Sequence, residues 1–134
     1  MQSNIISLDV GDKRVGVARA NSVAKLPGPL TTINRDENFW KSLDKILENE
    51  SVNKIIVGLP RNLDGDDTSQ TSSTRTFIAE LQNRVNLPII TQDEALTSRK
   101  AEKELHARGK KFHKADIDAL AAAYILEDYL NETN

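Results

Sequence analysis

The sequence predicts an α/β protein built on a five-stranded mixed sheet with helices on both faces. Three observations carry that expectation. Short apolar, β-branched runs recur along the chain. The first three follow one another with only turn residues between them, and the later ones alternate with segments of helical periodicity. Successive strands joined by turns make an antiparallel meander, and strands separated by helices make βα crossovers to parallel neighbours.

The elements follow in order. Asn4 to Val10 is apolar for most of its length and reads as the first strand, with an aspartate, Asp9, near its end. Gly11-Asp12-Lys13 is turn chemistry, and Arg14 to Arg19 is the return strand. After Pro27-Gly28-Pro29 comes a short third strand, Leu30 to Ile33. Asn34 to Asp36 can cap a helix running to about Glu50, with Phe39, Trp40, Leu43, Ile46 and Leu47 at core-facing spacing. Lys54 to Pro60 is the fourth, central strand, and Arg61 to Ser69 is a polar loop carrying Asp64-Gly65. Thr74 to Asn86 is a helix with Phe77, Ile78 and Leu81 inward, and Leu87 to Thr91 is a fifth strand that reaches Asp93-Glu94. Ser98 to Arg108 is helical and stops at Gly109; Asp116 opens a last helix with Leu120, Ala123, Leu126 and Leu130 along one side.

At 134 residues the chain fits one domain, 1–134, against a usual size of roughly 100–150. It has no cysteine, hence no disulfide framework and no thiolate zinc site, which suits a reducing cytoplasm. No apolar run reaches the ~20 residues of a membrane span, and Met1-Gln2-Ser3-Asn4 lacks the basic start of a signal peptide. The net charge of −2 hides a segregation. Residues 97–114 hold seven basic side chains (Arg99, Lys100, Lys103, Arg108, Lys110, Lys111, Lys114) against two acids, whereas 115–134 hold five acids and no Lys or Arg. A basic stretch beside an acidic one could neutralise phosphates while a metal occupies the acids; a solvated helix face before an ordinary acidic helix explains the same pattern.

Ligands of open α/β sheets bind at the carboxyl ends of the strands. Asp9 stands there on the central strand, Glu94 stands just past the fifth strand, and Asp118 lies in the first turn of the last helix. If that helix crosses near the first strand, the three carboxylates converge, and converging hard oxygens suit Mg²⁺ or Mn²⁺ and phosphodiester chemistry. Each acid also has a plainer role, Asp9 in a strand-end turn and Glu94 and Asp118 at the positive ends of helices. Gly11 and Gly16 flank Lys13 and Arg14, so the turn could take φ > 0 and bring backbone N–H groups up to a phosphate, or could be a tight hairpin only. Arg61 and Asn62 could touch sugar-phosphate groups, or belong to a capped surface loop. His106 and His113 have no partner spacing and read as surface residues. Trp40 with Phe39 reads as core, not as a base-stacking platform.

Four segments together resemble the YqgF/RuvX family of Holliday-junction resolvase-like or pre-16S rRNA nucleases. They are Leu8-Asp9-Val10-Gly11-Asp12-Lys13-Arg14-Val15-Gly16-Val17-Ala18, the run from Ile56 through Arg61-Asn62 to Asp64-Gly65, Asp93-Glu94-Ala95-Leu96-Thr97-Ser98, and Asp118 to Leu126. The likeness spans nearly the whole chain. It implies an RNase H-like nuclease domain, a metal-dependent endonuclease using Mg²⁺ or Mn²⁺, and a cytoplasmic role in maturing the 5′ end of pre-16S rRNA on a ribosomal precursor particle. By motif position Asp9, Glu94 and Asp118 are the catalytic and metal-binding acids, with Asp93 or Asp116 as possible assistants. Lys13, Arg14, Arg61, Asn62, Arg75 and Arg99 are the candidate substrate contacts. Where the family usually has Arg after the Asp-Glu pair this chain has Ala95, leaving Arg99 or Arg75 to supply that cation. The alternative substrate is a four-way DNA junction, which needs paired cuts and so a two-fold homodimer in place of a monomer. An ATPase phosphate loop needs a second domain to close on, and a noncatalytic ribosome-associated module would use the basic segment alone.

Overall fold

The computed structural model of the chain describes residues 3–21, 23–62, 64–94, 97–109 and 112–133, with the backbone alone at 97–99. The strands are β1 (Asn4–Val10), β2 (Arg14–Asn21), β3 (Gly28–Asn34), β4 (Val52–Pro60) and β5 (Ile89–Glu94). The helices are α1 (Phe39–Asn49), α2 (Ser69–Arg84), α3 (Thr97–Ala107) and α4 (Lys114–Thr133). The sheet order is β3-β2-β1-β4-β5, with β1 central, antiparallel to β2 and parallel to β4. That is the mixed sheet expected from a meander followed by crossovers.

Alternation along β1 sends its residues to two different cores. Ile6, Leu8 and Val10 face α1 and α2, where Phe39, Leu43, Phe77 and Leu81 are buried. Ile5 faces α4 with Ala122, Ile125 and Leu126, and Ser7 donates its hydroxyl to the Ala122 carbonyl at 2.5 Å. Trp40 belongs to the core of the first face: it stacks on Phe77 at 5.5 Å and meets Phe39 edge-on. Pro29 lies on β3, an edge strand where a missing N–H is tolerated, and the register with β2 shifts between Val17 and Ala18 beside it.

Helix α2 begins at Ser69, five residues before the expected Thr74. Thr68 and Thr71 form a capping box, so the polar Ser/Thr run that looks like loop is the first turn and a half of helix. Helix α1 starts at Phe39, later than its candidate caps suggest, because Asp36 is spent on a turn, accepting from the Asn38 backbone.

Helix α4 lies in a trough whose walls are fixed by two glycines on either side of β1. A Cβ on Gly16 of β2 would sit 2.0 Å from the Asp118 carbonyl oxygen, and one on Gly58 of β4 would sit 2.4 Å from Ile125 Cδ1. The first turn of α4 is also tied to β3, where Thr32 donates to the Ala115 carbonyl at 2.6 Å. These contacts set the angle at which the helix crosses the sheet, and so decide which acids meet.

Candidate active site

Asp9, Gly16 and Thr32 stand in one row across β1, β2 and β3. The start of α4 rests on that row, touching Thr32 through Ala115 and Gly16 through Asp118. The bare Cα of Gly16 thus lets Asp118 come in beside Asp9. The structure therefore brings together two acids that lie more than a hundred residues apart. Desolvation, with the Asp118 charge second, pushes the Asp9 carboxyl up to about 7. Arg14, the first residue of β2, donates from Nε to Asp118 Oδ2 at 2.7 Å.

Helix α4 begins at Lys114, so Asp118 lies in its second turn and not, as expected, in the first, and the plainer role for it is already taken. Asp116 accepts from the His113 backbone N–H at 2.8 Å and sits in the acidic first turn of α4, so the helix start has its cap without Asp118.

Glu94 goes elsewhere. It shares the α4 face of the sheet with Asp9, but two strands away, and meets the far end of α4. Burial first, then a hydrogen bond and charge repulsion from Asp128 and the charge of Glu132, push its carboxyl up to about 9; Lys100 opposes this. Its Oε1 is buried with no hydrogen-bond partner among the described residues. Gln92, next on the same face, donates to Glu132 at 2.8 Å. Asp128 and Glu132 were not singled out by sequence reasoning. The signal was present, since Asp118, Ala122, Ile125, Asp128 and Glu132 follow a three-to-four spacing along one side of α4. Asp93 points to the opposite face and pairs with Arg61 at 3.2 Å.

The proposed substrate contacts divide in two. Lys13 is exposed in the turn between β1 and β2, and Arg14 is engaged with Asp118. Arg61 and Arg75 are both ion-paired to Asp67, at 2.6 and 3.0 Å, and Asn62 accepts from the backbones of Asp64 and Asp66. That is the capped loop, with its cations paired to Asp67 and Asp93. Ala95, Lys110, Lys111 and the side chain of Arg99 lie outside the described residues. Arg35, which sequence reasoning passed over, donates to the Gly11 carbonyl at 3.0 Å and pins the turn after Asp9. Gly11 and Gly16 do not take positive φ; among the described residues the glycines that do are Gly65 and Gly109. Their smallness serves close packing, with Gly11 facing the Arg14 carbonyl. His106 and His113 are exposed.

Two neighbouring carboxylates, one of them costly to ionise where it stands, form a hard-oxygen donor set that fits Mg²⁺ or Mn²⁺. Among the described residues no three His, Cys, Asp or Glu side chains are arranged to hold a metal ion. The pair fits a dication; Glu94 does not join it here.

The raised carboxyls make stability depend on pH. Between about 3.8 and about 7 the folded chain holds an Asp9 proton that the unfolded chain has lost, and Glu94 does the same from about 4.5 to about 9. The contribution of these two groups to stability in EDTA is therefore greatest below both windows and falls as pH rises through them. A Tm several degrees higher at pH 5 than at pH 8 is expected, with a shallower slope in Asp9→Asn. Differential scanning fluorimetry across that range reads it, and an identical slope in the variant would contradict the assignment.

A family model described as RuvX, Holliday junction resolvase, matches residues 3–132. A Sulfurihydrogenibium protein named "Putative pre-16S rRNA nuclease" is 37% identical over 131 residues, covering 96% of this chain and 90% of that protein. A protein of the same name from Maridesulfovibrio salexigens is 40% identical over 130 residues, covering 94% and 96%. Among solved structures, the Fowlpox virus resolvase with Holliday junction DNA matches at TM-score 0.54 and 16% identity, covering 97% of this chain and 98% of that one. RuvC of T. thermophilus, also with a Holliday junction substrate, matches at TM-score 0.55 and 13% identity, covering 98% and 96%. At such identities the structural likeness speaks to fold alone, and the fold is RNase H-like. Among the described residues no helix is long and apolar enough to cross a membrane.

Proposed function

Given that the chain belongs to the RuvX family, we propose that it is a metal-dependent endonuclease that matures the 5′ end of pre-16S rRNA in the cytoplasm, acting on a structured precursor within a ribosomal particle. The observation that carries this reading is the Asp9–Asp118 pair, assembled at the carboxyl end of the central strand by the close approach of α4 to Gly16. Nothing in the packing of the core requires two acids there, and their mutual cost is what a bound dication relieves.

Asp9 and Asp118 would hold Mg²⁺ or Mn²⁺, which when bound supplies Lewis acidity toward a phosphodiester. Asp9, set on the central strand, fixes the position of the site. Asp118 contributes from the helix and is held in its orientation by Arg14. Lys13, exposed in the turn pinned by Arg35, offers a cation to the nucleic-acid backbone next to the acids. Glu94 stands on the same face as the third candidate ligand, and Asp128 is the group that it must leave to take that part. Arg61 and Arg75 hold Asp67, and Asn62 caps the turn after β4. Arg99 remains a candidate backbone contact.

The family description favours a second substrate, the four-way DNA junction, and one experiment separates the two. The protein is incubated with a 5′-extended small-subunit rRNA precursor and, separately, with a junction, each in Mg²⁺, Mn²⁺ or EDTA. Cleavage of the RNA in either metal, with the junction left intact, is expected. Paired cutting of the junction with intact RNA would move the assignment to a dimeric resolvase, and cutting in EDTA would contradict metal dependence.

A further inference from the structure

Arg14 is held at both ends. Its backbone pairs with Asn34 of β3, its carbonyl accepts from Gly11, and its Nε reaches Asp118 Oδ2 across 104 positions of sequence. The two side chains keep 30% and 20% of their surface, so solvent screens the pair only in part. A guanidinium does not lose its proton in a protein, so this is a permanent positive charge lodged on one oxygen of the acid pair. We propose that Arg14 is a built-in competing counter-ion of Asp118: it holds the acid pair together before a metal arrives and keeps dication binding weak and reversible. The inference rests on the reading of Asp9 and Asp118 as a dication site.

Two effects of Arg14 oppose each other. Fixing one rotamer of Asp118 favours metal binding, because less freedom is lost on coordination. Holding a full positive charge a few ångströms from the site disfavours it, and charge repulsion at that range outweighs the freedom of a short side chain. The repulsion therefore decides the sign, and removing Arg14 tightens metal binding. A residue that merely positions Asp118 would give the opposite sign. A residue that serves only to contact substrate would leave metal affinity unchanged.

The test is calorimetric titration of Mn²⁺ into wild type, Arg14→Gln and Arg14→Lys, with Tm measured on the same proteins in EDTA and in saturating Mn²⁺. Arg14→Gln is expected to bind roughly tenfold more tightly, to melt lower in EDTA, and to recover most of that loss in Mn²⁺. Arg14→Lys keeps the charge and is expected to bind within about threefold of wild type. If Arg14→Gln does not fold, Arg14→Met, which keeps the apolar stem, carries the same expectation. Equal or weaker Mn²⁺ binding in the neutral variants, with wild type binding normally, overturns the proposal and leaves the metal site standing. No Mn²⁺ binding by any of the proteins overturns the metal site and the role of Arg14 together.

Discussion

Gly16→Ala is expected to destabilise the protein by about 3 kcal/mol or more and to abolish cleavage at temperatures where the variant is still folded. The added methyl would lie 2.0 Å from the Asp118 carbonyl oxygen and 2.3 Å from its carbon, and both are backbone. A flexible side chain could swing away; a helix held by the Thr32–Ala115 bond and by Ser7 on Ala122 cannot move without breaking them. The first turns of α4 must therefore lift, taking Asp118 from Asp9. Gly28→Ala is the control, since a Cβ there meets nothing within 4 Å. Urea unfolding of both variants measures the difference, and equal losses would show that α4 does not press on β2 as described.

Asp9→Asn and Asp118→Asn are each expected to lower the single-turnover cleavage rate by about a thousandfold or more, as losing a group that acts only in stabilising the reacting phosphate should. Their effects on stability are expected to differ in sign. Asp9→Asn removes a carboxylate whose ionised form is costly, so at pH 8 in EDTA this variant melts higher than wild type. Asp118→Asn leaves Arg14 facing a neutral amide in a partly buried pair and melts lower. Neither substitution adds negative charge, so RNA binding is expected to hold or improve slightly in both. A variant that is more stable and inactive is the signature of a group retained for chemistry. Cleavage by Asp9→Asn at the wild-type rate would remove Asp9 from the mechanism.

Much of this was legible in the sequence, and the remainder was hidden for identifiable reasons. The strands declared themselves through β-branched runs, and Asp9 and Asp118 stood out because an acid near the end of an apolar strand, or near the start of an apolar helix, breaks the local pattern. The start of α2 was obscured because Ser69, Thr71, Ser72 and Ser73 resemble loop residues until the capping box is seen. Gly16 and Gly58 were harder. A glycine in a strand signals a turn, a bulge or close approach, and only the crossing helix shows that approach is meant. The same crossing angle carries α4 away from Asp9 toward β5, so Glu94 meets Asp128 and not Asp118. Motif spacing records which acids are present; the tilt of one helix decides which of them are neighbours. Arg61 and Arg75 illustrate the limit from the other side, since cations that look available for phosphate are spent on Asp67 and Asp93.

The central claim is that Asp9 and Asp118 together grip a dication. A crystal grown with Mn²⁺ and measured at the manganese absorption edge tests it directly. An anomalous peak about 2.2 Å from a carboxylate oxygen of each of the two residues is the result the account predicts. Manganese absent from that pair, or seated only between Glu94 and Asp128, would contradict it.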